Sequence, residues 1–376
     1  MEWVKLGDVV EVQKGKKVSE SEHNTGLRYI QIEDLRNDNN IKFTDQENSV
    51  KVNADDVLLA WDGANAGISS YGLEGIIGST LARIRVKEKY SNIIKSEYLG
   101  LFLQFNENYL RNTANGATIP HVNRGALLNL KLNAVNLEYQ QKVIALIGNI
   151  SNIISTRKAQ ISALDELVQS VFYEMFGEYC NLGSNLFSTK IKDIAEVKSG
   201  ATPRTSVPDY WDGDILWVTP VEINEEEIYL YDTNRKITEA GVESAALKAI
   251  PENSVLLSSR APIGKVAINK KRLYTNQGFK SIVPREDYIL PIYLYFLLYF
   301  NNEYLNSLGN GATFKEISKK VVENISIPIP PLELQEQFAA KVEAIEAQKA
   351  KLQTSLEEME TLFDALMQEA FSGNLG

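Results

Sequence analysis

The chain has 376 residues, 44% hydrophobic and 23% charged, with a formal net charge of -10. This is globular composition with material for two or three domains, and an acidic total argues against a nucleic-acid partner unless the charge is unevenly spread. The single cysteine, Cys180, rules out an intrachain disulfide and fits a reducing cytoplasm, and one cysteine with two histidines is too few for a zinc site.

Taken in chain order, short β-rich runs come first, "VLLAW" at 57–61 and "LARIRV" at 81–86, set between Gly and Asn turns. The spacing then predicts one apolar-aromatic helix over 96–112, "SEYLGLFLQFNENYLRN". The tetrapeptide "NGAT" follows at 115–118, then a strand-like exit, "LLNLKLNAV" at 127–135, and a long helix. The same order then returns. "ILWVTPVEI" at 215–223 and "KSIVP" at 280–284 read as strands, and "PIYLYFLLYFNNEYLNS" at 291–307 as the apolar helix. "NGAT" recurs at 310–313, followed by "VENISIPIPP" at 322–331 and a second long helix. No apolar run reaches the ~18 residues of a membrane span, and "MEWVKLGDVV" does not read as a secretory signal.

The two halves are a repeat, because independent matches fall at nearly one shift. "LEYQQK" at 137–142 aligns with "LELQEQ" at 332–337, and "LGDVVEVQKG" at 6–15 with "IKDIAEVKSG" at 191–200. The expected divisions are a mixed domain at 1–136, a helix at 137–180, a mixed domain at 181–330 and a helix at 331–376. Gly15, Gly116, Gly200 and Gly311 are expected at turns with positive φ.

The long helices carry the strongest periodicity. Val143, Ile147, Ile150, Ile154, Arg157, Ile161, Leu164 and Val168 are spaced alternately four and three apart, and the seam runs on to Val171 and Met175. In the second copy the seam is Phe338, Val342, Ile345, Lys349, Leu352, Leu356, Met359 and Phe363, running on to Leu366 and Ala370. Two seams of matching length need partners, so the helices are expected to pair, antiparallel, as a strut with one domain at each end. Arg157 and Lys349 are then seam cations that set register or meet flanking acids. The fold class expected is α/β: two tandem mixed domains separated by a long antiparallel two-helix coiled coil, with pseudo-two-fold repetition.

Eight of the ten surplus negative charges lie on residues 137–180 and 331–376. The mixed domains are therefore near neutral, with basic clusters in turns such as "QKGKK" at 13–17 and "RAPIGK" at 260–265. Cationic loops on a neutral body suit phosphate contact as well as they suit solvated turns. No Gly-rich phosphate loop, paired-histidine metal motif or nucleophile elbow is present, and no residue is nominated for catalysis. Two readings stay open from the residues alone: a DNA reader, or a two-headed rod-like scaffold for protein–protein interaction.

Each half resembles a half of the DNA specificity subunit of type I restriction-modification systems. The resemblance rests on "AEVKSGATPRT" at 195–205, "LLSSRAPIGKVAI" at 256–268, "TNQGFKSIVP" at 275–284, "NGAT", and "IPIPPLELQEQ" at 327–337. The first half is the looser copy, with "VQKGKKVSE" and "LLAWDGANAGIS" in place of the corresponding elements. The resemblance implies a non-catalytic subunit whose two target-recognition domains each read one half of a bipartite, asymmetric site on double-stranded DNA. It implies docking of two methyltransferase subunits, with two restriction (motor-nuclease) subunits able to join. S-adenosylmethionine, ATP and Mg belong to those partners, and this chain is expected to bind no cofactor or metal. Polar side chains that could then face DNA are Lys14, Lys16, Lys17, Asn65, Asn115, Thr118, His121, Asn123 and Arg124 in the first half. In the second they are Lys198, Ser199, Thr202, Arg204, Thr205, Arg260, Lys265, Asn276, Gln277, Lys280, Asn310, Thr313 and Lys315.

Overall fold

The computed structural model describes residues 3–22, 26–37, 39–46, 49–116, 118–182, 188–260, 262–309 and 315–372. The second NGAT segment, with Asn310, Gly311 and Thr313, lies outside the described residues, as does Ala117 of the first. The chain divides into two compact units. One comprises residues 1–159 and 352–376, the other 160–351. The boundary falls inside both long helices, Leu137–Phe176 and Leu332–Ser372.

In the first unit an antiparallel sheet runs in the order Val10–Lys14, Leu81–Val86, Val57–Ala60, Ser69–Tyr71. A second sheet runs Lys42–Thr44, Leu27–Ile30, Gly75–Ile77, Lys51–Val52, with the central pair parallel. Val57–Ala60 is buried at every position, which explains why its sequence is a continuous apolar run rather than an alternation.

The second unit repeats this plan. Ala195–Ser199, Lys280–Pro284, Val255–Leu257 and Val266–Asn269 form the matching sheet, extended by Tyr229–Leu230. Arg235–Ile237, Trp211–Val218 and Tyr274–Thr275 form the other, again with one parallel pair.

The apolar helix of each copy is broken once, where an unbroken helix was expected. Ser96–Phe105 and Glu107–Asn112 meet at Asn106, and Pro291–Phe300 and Asn302–Ser307 meet at Asn301. In both, the Asn side-chain amide donates to the carbonyl four residues back, Phe102 O and Leu297 O, each at 2.8 Å. Such local bonding competes with the helix ladder and ends it without Gly or Pro. The exit "LLNLKLNAV" is likewise only partly strand: Arg124–Asn129 is a helix capped by Asn123, and the strand is Lys131–Asn133.

A buried glutamine ties each long helix to its own unit. Gln140 Nε2 donates to Ile93 O and Val135 O (2.7 and 2.8 Å), and its Oε1 accepts from Lys95 N at 2.9 Å. Gln335 does the same with Tyr288 O and Pro330 O (3.2 and 2.9 Å) and with Leu290 N at 2.8 Å. Both side chains are fully enclosed, so each clasp satisfies backbone groups that would otherwise be orphaned.

Within each unit the long helices run antiparallel. In the first, Lys158 pairs with Glu360 at 2.8 Å, while Val143 and Ile147 share a core with Met367, Ala370 and Phe371. In the second, Lys349 Nζ lies 2.6 Å from Asp165 Oδ1, while Phe172 and Phe176 pack on Phe338. One helix's number rises as its partner's falls.

The seam positions Val143, Ile147, Ile150, Val168, Phe338, Val342 and Leu356 are buried. Ile154, Arg157, Ile161, Leu164, Ile345, Lys349, Leu352, Met359 and Phe363 are half-buried. Lys349, 17% exposed, meets an acid beside the seam.

Candidate nucleic-acid interface

The candidate polar residues fall on loops that the two sheets of each unit bring together. In the first unit, strand Val10–Lys14 ends beside the loop that follows Val57–Ala60. Lys14 Nζ there lies 2.6 Å from Asp62 Oδ2. The segment around the first NGAT closes on the same loop. Asn115 and His121 exchange both backbone hydrogen bonds (2.9 and 2.8 Å), and His121 also bridges to Asp62. Gly63 N donates to Pro120 O and Val122 N to Trp61 O (2.8 and 2.9 Å). Asn65 Oδ1 accepts from Arg36 Nη2 at 2.8 Å, which ties in the turn after strand Leu27–Ile30. Lys16, Lys17, Thr118, His121 and Arg124 are exposed. Asn123 instead uses its Oδ1 to accept from Ala126 N and start a helix.

The second unit builds the same cluster from 198–205, 258–260, 262–265, 275–280 and 315–317. Arg260 bridges to Glu316 through the backbone, and its Nε lies 3.0 Å from Glu316 Oε2. Ile317 N donates to Ser259 O at 2.9 Å, and Ser259 N to Gly278 O at 2.7 Å. The Thr202 hydroxyl donates to Gln277 Oε1, while Asn276 Oδ1 accepts from Gly278 N and holds the turn. Lys265 Nζ reaches Ile223 O and Glu225, and Lys198 Nζ reaches Ala249 O and Glu196. Ser199, Arg204, Thr205, Arg260, Gln277 and Lys315 are exposed.

One candidate is corrected by its burial. The Lys280 side chain is 7% exposed, with Nζ 3.1 Å from Ser259 Oγ and 3.3 Å from Glu316 Oε1. Burial lowers its ammonium pKa, opposed by Glu316. For Glu316, burial pushes the carboxyl up, but hydrogen bonds from Arg260 and Lys280 outweigh it, so the net shift is down. Lys280 is therefore an internal brace beneath the loops rather than a surface cation.

Two glycines are also needed for a different reason from the one expected. Gly116 has φ +98, but Gly15 and Gly200 do not adopt the left-handed region. A Cβ on either would fall 2.1 Å from a backbone oxygen, of Gly78 and of Asn276 respectively. Both sit where one loop presses directly on another.

Asp62, Glu316 and Arg36 were missed as members of the cluster. They are single acids and a base in unremarkable contexts, and only cross-loop pairing reveals them. Among the described residues no group of three or more His, Cys, Asp or Glu could hold a metal ion, and no helix is long and apolar enough to cross a membrane.

The fold thus defines a duplicated protein whose copies each present one loop cluster and contribute one long helix. The family model for the type I restriction modification DNA specificity domain matches residues 1–164 and 185–361, and the chain belongs to that family. The MjaVIII type I restriction enzyme specificity subunit of Methanocaldococcus jannaschii is 26% identical over 92% of this chain and 86% of its own length. The MjaIX specificity subunit of the same organism is 44% identical, over 40% of this chain and 35% of that protein. The type I restriction-modification S subunit from M. genitalium has a similar fold, with a TM-score of 0.62 at 12% identity over 99% of this chain and 96% of that one.

Proposed function

We propose that this chain is the non-catalytic specificity subunit of a type I restriction-modification complex, reading a bipartite, asymmetric site on double-stranded DNA. Each unit's loop cluster reads one half-site in the major groove, with exposed cations holding the phosphates and polar side chains facing base edges. The paired long helices set the gap between half-sites. Two methyltransferase subunits dock on the chain and carry S-adenosylmethionine; restriction subunits, with ATP and Mg, join the same assembly. The observation that carries this reading is the duplication itself. Two copies of one loop cluster, in a chain of this family, suit a site with two different halves.

The test is to replace residues 185–325 with the equivalent segment of another family member and map methylated adenines in cells expressing the full system. The expected result is a change in one half-site only. Changes in both halves, or in neither, would overturn modular reading. Inserting four residues in one long helix adds ~6 Å at most and is expected to lengthen the gap by roughly one to two base pairs, with both half-sites unaltered. DNA binding by the assembled complex should weaken steeply with salt; salt-insensitive binding would favour a protein scaffold.

A further inference from the structure

The repeat relates more than the residues that sequence matching aligned. Strand Leu27–Ile30 pairs in parallel with Gly75–Ile77, placing Ile30 beside Ile77. Strand Trp211–Val218 pairs in parallel with Tyr274–Thr275, placing Val218 beside Thr275. The chain then makes the same turn in both copies. Asp34 N donates to Gln31 O and Leu35 N to Ile32 O, each at 3.2 Å. Glu222 N donates to Thr219 O and Ile223 N to Pro220 O, at 3.0 and 3.4 Å. Each turn is locked by an acid that accepts from the backbone three residues back: Asp34 from Gln31 N at 2.7 Å, Glu222 from Thr219 N at 3.0 Å. Leu35 and Ile223 plug the following position into the core.

This equivalence places Glu33 and Val221 at one site, the tip of the turn. Both are exposed, and Val221 is 90% exposed, an unusual place for a branched apolar side chain on a turn so firmly held. The tip belongs to the loop cluster in each copy. In the second unit Asn276 N donates to Val218 O at 3.1 Å, and a Cβ on Gly278 would meet Pro220 Cγ at 3.1 Å. Lys265 Nζ reaches Ile223 O from the third loop. In the first unit Gly78 N donates to Ile30 O at 3.3 Å, and Arg36 reaches Asn65.

We propose that the turn tip is a base-reading position, occupied by Glu33 in the first unit and Val221 in the second. The inference rests on the DNA-reading function above and names two residues of that interface. The chemistry of the two side chains then assigns the bases. A carboxylate accepts from the N4 amino group of cytosine, the donor in the major groove of a C·G pair, and repels the acceptor edges of guanine. A valine has nothing to offer a polar edge, but it packs against the C5-methyl group of thymine. Because the backbone of each turn is already fixed, little ordering is lost when its tip meets a base. One turn in two copies, with different tips, lets a duplicated scaffold read different halves.

The experiment uses the complex assembled with its methyltransferase subunits, acting on a randomised DNA library with methylated adenines read out by sequencing. Glu33→Ala is expected to relax preference for cytosine at one position of one half-site by about tenfold. Val221→Ala is expected to relax preference for thymine at one position of the other by about fivefold. In each case the untouched half-site serves as the control for folding and assembly. On synthetic DNA, replacing that thymine by uracil, which removes only the methyl group, should reproduce the loss with the unaltered chain and add nothing for Val221→Ala. If both variants keep unaltered preferences in both halves while replacing residues 185–325 still moves one half-site, the tip assignment is wrong and the modular reading stands. If that replacement also fails to move one half alone, the modular reading falls and takes the tip assignment with it.

Discussion

The two units carry one backbone bridge with its acid on opposite sides. After strand Val57–Ala60 stands Asp62, bridged to His121; after strand Val255–Leu257 stands Arg260, bridged to Glu316. The sheet beneath is transposed as well. Lys14 lies opposite Ala82 in one ladder, and Lys280 lies opposite Ser199 in the other. Both copies keep one ammonium at the end of this strand pair facing one carboxylate, but a different strand supplies the ammonium and a different loop supplies the acid. A duplicated scaffold can thus hold an electrostatic relation without holding residue identities. The two pairs also differ in surroundings. Lys14 is 45% exposed, whereas Lys280 is enclosed, so the second unit fixes its loops with a buried brace and the first with a solvated contact.

The strongest way to separate the two units is through their aromatic anchors. In the second, Phe338 packs on Phe172, Phe176 and Phe296, and in the first Phe371 packs on Tyr98, Phe102 and Phe105. Phe338→Ala should cost about 3–5 kcal/mol. Phe371→Ala should cost less, about 2–3 kcal/mol, because it sits in a final helical turn that can relax. Urea unfolding, with hydrogen exchange to assign each loss to its unit, measures both; equal costs would mean that the final helical turn relaxes no more than the helix's first turns do.

The glutamine clasps should behave alike. Gln140→Leu and Gln335→Leu each strand three backbone partners and are expected to cost about 2–3 kcal/mol, within ~1 kcal/mol of each other. A clear inequality would break the equivalence drawn from their matching bonds.

The transposed cations should not behave alike. Lys280→Met is expected to cost ~1 kcal/mol and to loosen the loop at 258–260 in hydrogen exchange, since Arg260 still holds Glu316. Lys14→Met should cost less than ~0.5 kcal/mol, as exposed pairs do.

The smallest expected effect is in pH. The net downward shift of Glu316 means its folded form holds the charge better than the unfolded chain does. Its contribution is therefore present above the ordinary carboxylate range and is lost as pH falls through the lowered value. Thermal melts from pH 7 to 3 should show this slope in the second unit, and Glu316→Gln should flatten it.

Periodicity along the chain was enough to locate both long helices and the duplication. These signals are local: burial of one helical stripe repeats every three or four residues, and a copied domain repeats its turns and apolar runs at one spacing. Segments 13–17 and 260–265 were legible as cation-rich breaks between apolar runs and 115–118 as a repeated turn, whereas 198–205 and 275–280 stood out only through the family resemblance.

Which members of those loops face outward was decided elsewhere. Lys280 reads as a cation beside a turn, yet the strand pairing with Ser199 carries it inward to Glu316, some 36 positions away. Asp62, Glu316, Glu33 and Val221 carry no motif. Their places follow from strand register and from loops that meet only when two sheets fold over one another. The breaks at Asn106 and Asn301 are of the same kind, since a side-chain amide competing for one carbonyl leaves no trace in hydrophobic spacing. Short-range patterns record what each segment must bury, and only long-range pairing determines which charges end up side by side.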